Sequence, residues 1–370
     1  MIARLEAARA ALAACAPEAV PLDPPLLVSA GQALELAGED LRPRLLFVSS
    51  SEGGELCLRP DLTLPTALSY LGAAPAPRAY LCAGRIYRAP GLDGPQASER
   101  ESLGLERFAD PDPARADADV LAAALAACAA AGVRDVTVKL NDLALFSAAL
   151  DALALPEPWN GRLRAAARRP ARLKALLAAP VALHPDDPAR ALLGLAPEAA
   201  QAAAADLVER LPGSAAGRGR AAIVRRLVAK AAFADAPRPP EAALTCLQAF
   251  FAAKGSPAAV LARRRAAAEA AGIDLSDFFA RSAARLAAMQ DRIGAAVELF
   301  VDPAFQGNFW YYDGFMFSIR SKRLERGGVV AGGGRYDGLV GFLSGGAVSA
   351  AAVGLALQPE ALAAAAEAEA

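Results

Sequence analysis

Apolar and polar residues follow three different rhythms along this chain, and the rhythms divide it into three stretches. Over roughly the first 150 residues helical and strand periods alternate. Met1 to Cys15 spaces Arg4, Glu6 and Arg9 among Ala and Leu, which predicts a helix ending before Pro17. Val20 to Pro25 reads as an extended entry, and Leu26 to Leu36 as a second helix. Leu45 to Ser49 and Glu55 to Leu58 read as paired strands around a Glu52-Gly53-Gly54 turn. Asp61 to Leu71 is helical, with Asp61 a candidate N-cap. Ala79 to Arg88 and Arg100 to Phe108 alternate as two strands joined by a Gly- and Pro-rich loop. Asp112-Pro113 opens a helix that Gly132 closes, and Val133 to Leu140 alternates as a strand.

From Asp142 to about Arg292 the pattern becomes Ala, Leu and Arg in helical rhythm, broken near Pro156, Pro180, Pro185, Pro212 and Pro237 to Pro240. There is no fixed repeat length. Strand periods return from Val297 to Leu357, where Phe315, Phe317 and Ile319 alternate and Gly-rich turns follow; an Ala/Glu helix ends the chain. Strands, helices and strands again imply one sheet interrupted by a helical insert. The expected division is a core in two parts, 1–141 and 293–370, around an insert at 142–292.

Composition narrows the class. The 370 residues suffice for two average domains or one large domain with an insert. Lys and Arg number 39 against 40 Asp and Glu, which argues against nucleic-acid binding through an overall basic field. Apolar residues reach 55%, but Ala is about a quarter of the chain, so that figure overstates the strong core formers. His184 is the single histidine, which excludes a site built on two, and the five cysteines show no CxxC pair or ligand-like spacing. Neither a metal site nor a disulfide framework is expected. The N-terminus lacks a signal-peptide pattern, and no stretch offers the roughly 18 strongly apolar residues of a membrane span. A soluble cytoplasmic protein is the expectation.

Four segments carry candidate chemistry, each with a plain structural reading beside it. Leu58-Arg59-Pro60-Asp61-Leu62-Thr63 sets an acid and a hydroxyl at a helix start, where Asp61 also serves as an N-cap. Arg85, Arg88, Arg100 and Glu106 lie on the long hairpin, as cross-strand pairs or, if an arginine faces inward, as an anion grip. Ala331-Gly332-Gly333-Gly334-Arg335-Tyr336-Asp337-Gly338 is neither a P-loop nor GxGxxG; its glycines permit close approach of a ligand or of a neighbouring strand. Phe309-Trp310-Tyr311-Tyr312 is core or pocket wall.

Taken in order, these segments resemble the class II aminoacyl-tRNA synthetases, specifically the histidyl branch. Leu58 to Thr63 is similar to that branch's Leu-Arg-Pro-Glu/Asp-x-Thr, whose acid and threonine contact the histidine amino group. Tyr87-Arg88 with Gly104-Leu105-Glu106 resembles motif 2, whose arginine grips the ATP α-phosphate. Gly333 to Leu339 is similar to Gly-Gly-Arg-Tyr-Asp-x-Leu, and Val353 to Leu357 to the start of motif 3. The resemblance runs from about Pro17 to Leu362 and implies an antiparallel sheet flanked by helices. It implies a histidine pocket, live or vestigial, from Asp61, Thr63, Arg88, Glu106, Tyr311, Tyr312, Gly333, Arg335 and Tyr336, with the two acids on the ammonium and tyrosines beside the imidazole. It also implies a self-dimer through motif 1, at about Val20 to Leu36.

The departures from the pattern point away from catalysis. The motif 3 Glu-Arg falls on Glu360-Ala361, and the arginine of Arg-Gly-Leu-Asp-Tyr-Tyr falls on Gln306 or Gly307. The motif 2 glutamine becomes Ser102, and eight residues after Leu362 leave no room for an anticodon-binding domain. Fixed cations neutralise the charge developing in adenylation, so losing two is expected to cost orders of magnitude in rate. Among synthetase relatives the pattern resembles the regulatory subunits of ATP phosphoribosyltransferase, which implies no catalytic residue and no cofactor. It implies as partner the short catalytic subunit, in a hetero-octamer, with histidine as a possible effector and neither nucleic acid nor membrane. Two other readings stay open: a divergent ligase using Arg320, Arg323 or Arg326, and an RNA-binding paralogue using Arg162 to Lys174 and Arg263 to Arg265.

Overall fold

The computed structural model describes residues 2–37, 41–49, 54–73, 76–90, 98–178, 183–210, 219–294, 297–307, 309–324 and 328–370. In chain order its elements are α1 (Ile2–Cys15), β1 (Val20–Leu22), β2 (Leu27–Ser29), α2 (Ala30–Leu36), β3 (Phe47–Ser49), β4 (Glu55–Leu58), α3 (Thr63–Gly72), β5 (Arg78–Tyr87), β6 (Glu99–Phe108), α4 (Pro113–Ala130), β7 (Val136–Asp142) and α5 (Leu143–Leu153). There follow α6 (Trp159–Ala166), α7 (Pro170–Ala178), α8 (Pro197–Glu209), α9 (Arg220–Asp235), α10 (Glu241–Ala252), α11 (Pro257–Ala270) and α12 (Ser276–Ile293). The chain closes with β8 (Leu299–Val301), β9 (Phe315–Ser321), β10 (Val329–Arg335), α13 (Asp337–Leu343), β11 (Ala352–Leu357) and α14 (Pro359–Glu369).

Two compact units emerge. The first comprises Met1–Leu145, Ala253–Arg265 and Leu275–Ala370; the second comprises Phe146–Ala252 and Ala266–Asp274. The first is built on an eight-stranded sheet in the order β1-β5-β6-β11-β10-β9-β7-β8. All of its pairings are antiparallel except the two outermost, β1 with β5 and β7 with β8. A small sheet, β2-β4-β3, stands apart from it. This is the α+β architecture expected from the strand-helix-strand pattern. Helices α11 and α12, expected within the insert, contribute Val260 and Met289 to the core of the sheet unit.

Strand alternation gives the large sheet two unlike faces. Leu81, Leu105, Leu355 and Phe317 point to one side and pack against α4, α1 and α14 through alanines such as Ala8, Ala124, Ala127 and Ala365. Alanine therefore does form core here, because a methyl group lets a helix backbone lie close to the sheet. The other face carries Tyr80, Cys82 and Phe108 toward α2, α3 and α13. Asp112 caps α4 by accepting from the Arg115 N–H at 3.0 Å, with Pro113 at the first helical position.

Two local expectations change. Leu26 to Leu36, expected as one helix, is β2 followed by α2, because Val28 pairs with Cys57 in the small sheet and the Ser29 hydroxyl accepts from the Gln32 N–H. The segment after β10, expected as turns, contains α13, whose first N–H groups donate to Asp313 at 3.1 and 2.7 Å. The Glu52-Gly53 part of the expected turn, the 91–97 loop, Pro180, Pro212, Asn308 and Arg326 lie outside the described residues.

The second unit is helical. Ala189, Leu192, Ala204, Val208 and Val224 form one of its cores, and the Trp159 and Phe233 rings lie 4.7 Å apart. The basic run there is tied down within the unit: Arg162 lies 4.7 Å over Phe233, and Arg164 pairs with Asp151 at 2.5 Å. His184 is exposed in a turn, its Nδ1 accepting from the Asp186 N–H at 3.3 Å. No helix of the described residues is long and apolar enough to cross a membrane.

Candidate functional site

The site is assembled on the open face of the large sheet, where Glu106 of β6 meets the start of α3 and the Tyr311 segment. β-Pairing fixes a row across four strands: Tyr80, Glu106, Gly354 and Gly334 stand side by side and share a face. A methyl group on Gly354 would lie 1.6 Å from the Glu106 carboxylate, so the acid lies flat in the space that glycine leaves.

Around Glu106 stand hydroxyls instead of cations. The Thr63 hydroxyl donates to Oε1 at 2.6 Å, and the Tyr336 hydroxyl donates to Oε2. Asp61 sits beside them; its Oδ1 accepts the Leu64 N–H at 3.2 Å, and its Oδ2 accepts the Tyr311 hydroxyl at 2.8 Å. One carboxylate therefore does both expected jobs, capping α3 and lining the site. Burial pushes Glu106 up to about 8, with Thr63 and Tyr336 opposing and the Asp61 charge adding to the rise. Burial also raises Asp61, against the pull of Tyr311, the Leu64 N–H and the Arg88 charge.

The tyrosines form a wall. The Tyr311 ring lies 4.7 Å from Tyr312 and 5.5 Å from Tyr336, and Tyr312 and Tyr336 are 6.2 Å apart. Phe309 stacks on Tyr311 at 5.0 Å and also carries Arg88, whose guanidinium stands 5.3 Å from its centroid. The backbone of this aromatic segment is pinned to the end of α2, the Trp310 N–H donating to the Leu36 carbonyl at 3.0 Å. Burial lowers Arg88, partly offset by Asp61 and reinforced by Arg100 and Arg44; its Nε donates to the Pro60 carbonyl at 2.8 Å. The site thus joins two buried acids, three tyrosines, one threonine and one half-buried guanidinium.

Two residues expected in the pocket stand elsewhere. Gly333 is opposite Leu355 and Phe317, on the helix-packed face, where a methyl group would meet the Gly354 carbonyl oxygen at 2.2 Å and the Phe317 ring at 2.9 Å. Its role there is close strand packing. Arg335, two positions along the same strand, shares that face and is buried; its guanidinium donates to Asp117 of α4 at 2.6 and 3.0 Å and to Asp337 at 2.8 Å. Asp117 in turn meets Arg285 of α12 at 2.9 Å, and Arg285 meets Asp142 at 2.6 Å. Arg335 is thus part of an ion network between sheet and helices. Phe309 as a partner of Arg88 and Gly354 as the floor under Glu106 carry no motif signal of their own. A strand register would have shown the second.

The residues on which the sequence comparison sets two synthetase arginines make other contacts. A methyl group on Gly307 would lie 2.8 Å from the Tyr312 ring, and Gln306 donates to the Pro303 carbonyl at 3.3 Å. Ala361 packs on the sheet core, while Glu360 accepts the Glu101 N–H at 3.2 Å. Of the alternative arginines, Arg323 pairs with Asp135 at 3.0 Å, and Arg320 stands four rows along the sheet from Met316, which is opposite Gly334.

Comparison with known proteins completes the picture. The histidyl-tRNA synthetase family profile matches residues 20–233 and 220–362. An ATP phosphoribosyltransferase regulatory subunit from Brucella anthropi is 32% identical over 334 residues, covering 88% of each chain. A protein of the same name from Chelativorans sp. is 34% identical over 337 residues, again 88% of each. Among solved structures, an ATP phosphoribosyltransferase regulatory subunit/histidyl-tRNA synthetase from Bacillus halodurans C superposes with a TM-score of 0.63 at 20% identity, covering 98% of this chain and 79% of that one. A histidine–tRNA ligase subunit from Alicyclobacillus acidocaldarius gives 0.57 at 23% identity, covering 99% and 93%. At these identities the structural likeness establishes the fold.

Proposed function

We propose, on the premise that this chain belongs to the histidyl-tRNA synthetase-like family of ATP phosphoribosyltransferase regulatory subunits, that it activates a short catalytic subunit in the cytoplasm and makes it sensitive to histidine. The observation that carries this reading is the imbalance of the site. Acids and hydroxyls suited to an ammonium are kept at Asp61, Thr63 and Glu106, while the positions where adenylation would need cations hold Gly307 against a tyrosine ring and Ala361 in the core. Such a site suits the ammonium of an amino acid; of the fixed cations that adenylation would use, it keeps Arg88 but has none at Gly307 or Ala361.

Histidine is the proposed occupant, its ammonium between Asp61 and Glu106 and its imidazole against Tyr311, Tyr312 and Tyr336. Feedback then requires that histidine favour one conformation of the complex over another. The proposed assembly is a hetero-octamer with self-dimers of this chain, without nucleic acid or membrane. The dimer is supported by the small sheet, which is apolar on its outer side: Leu27 is 41% exposed, and Leu56, Leu58 and Val48 are half-buried.

Reconstitution tests the reading. Purified chain mixed with a short catalytic subunit should raise phosphoribosyl transfer, and added histidine should reverse the gain. The chain alone should give no histidine-dependent ATP–pyrophosphate exchange. No stimulation at saturating ratios would sink the proposal, and exchange above background would restore the ligase reading.

A further inference from the structure

Two carboxylates share this buried site, but their surroundings differ. Asp61 accepts a backbone N–H and the Tyr311 hydroxyl and lies within the field of the Arg88 guanidinium. Glu106 accepts only hydroxyl groups, one on each oxygen. The groups facing it from the surrounding elements are Thr63 of α3, Asp61 just before it, Tyr336 before α13, Tyr311 and Tyr312 of the aromatic segment, and Tyr80 and Cys82 of β5. None of these is a cation. Arg88 acts on Asp61, and Arg59, whose guanidinium lies over Gly84, donates to the carbonyls of Arg85 and Pro24.

A second ionised carboxylate beside Asp61 carries a desolvation cost that the two hydroxyl donors offset only in part. Holding one proton removes that cost. Of the two acids, Glu106 is the one without a backbone donor or a nearby guanidinium, and burial lifts it to about 8.

We infer that a ligand entering with a protonated amine displaces a proton from Glu106 to solvent, so that amine recognition here is coupled to proton release. This rests on the reading that the site takes the ammonium of an amino acid. The balance is simple: the ligand keeps all three ammonium protons, the O–H bond of Glu106 breaks, its proton passes to buffer, and the new carboxylate pairs with the ammonium. At the ammonium and Glu106 one positive charge enters as one leaves, so the charge of that pair is conserved; the ligand's own carboxylate is a separate charge that this exchange does not neutralise. The affinity for the amine therefore rises with pH below the point where Glu106 ionises by itself, by up to about tenfold per pH unit.

The experiment is calorimetry of L-histidine binding to the full chain at neutral pH, in phosphate and in HEPES, whose ionisation heats differ. The difference in observed enthalpy gives the protons released. Close to one is expected for the native chain, and none for Glu106→Gln. Imidazolepropionate, which lacks the ammonium, should release none. Infrared spectra of the ligand-free protein keep the inference testable should Glu106→Gln fold poorly. A protonated-carboxyl band is expected at neutral pH, lost when histidine is added. Histidine binding without proton release, or no such band in the free chain, overturns the inference and leaves the ammonium site standing. No histidine binding at all overturns both.

Discussion

At the residue scale, one hydrogen-bonded acid sets a pH dependence of folding and, on the proposed function, the ligand chemistry. Glu106 is raised by burial from 4.5 to about 8. In that window the folded chain holds a proton that the unfolded chain has lost, so stability falls as pH rises from near 4.5 through about 8. Relative to the native chain, Glu106→Gln should gain stability across the same window, read as urea midpoints at about pH 5 and about pH 8. A difference that stays constant with pH would contradict the assignment. Gly354→Ala presses a methyl group onto that carboxylate and should weaken histidine binding at least tenfold; calorimetry would show it. Asp61, Thr63, Glu106, Tyr311, Tyr312 and Tyr336 were legible in the sequence through the motifs that carry them. Gly333 and Arg335 were misplaced because they belong to the same motif as Tyr336, and a linear motif does not state which face of a strand each residue takes.

At the scale of elements, β10 works on both faces. Past its end Tyr336 reaches Glu106, while Arg335 reaches through to Asp117 on α4. Asp117 holds two guanidinium groups, so Asp117→Asn leaves each with a single carboxylate, Arg335 with Asp337 and Arg285 with Asp142, and should cost about 3 kcal/mol in urea denaturation. An effect below about 1 kcal/mol would mean that the network is screened as a surface pair is. Long elements were legible from periodicity, α1, β5, β6 and α4 above all. Short ones were not. The strand β2 depends on pairing with β4, and α13 carries two glycines in seven residues and takes its first-turn partner from Asp313. Those partners are distant in sequence, so no local window contains them.

At the scale of the whole molecule, the interrupted sheet was legible from the order of rhythms, whereas the membership of α11 and α12 was not, because an amphipathic helix does not state which core it serves. The outer side of the small sheet supports self-association. On the proposed self-dimer, Leu27→Glu together with Val48→Asp, both on that side, should convert dimer to monomer in sedimentation, with the fold intact by circular dichroism. An unchanged sedimentation coefficient would place the dimer contact elsewhere. A final consequence concerns the borders of the large sheet. Each ends in a strand of only three residues, β1 or β8. Beyond β8 the Gly255 backbone already exchanges bonds with Val301, at 3.1 and 2.8 Å. Each of these outermost strands gives a strand from another molecule few rungs on which to add. Assembly is thereby directed to side-chain surfaces, which close on themselves at a fixed number of copies, and away from the open-ended ladders by which exposed strands make fibres.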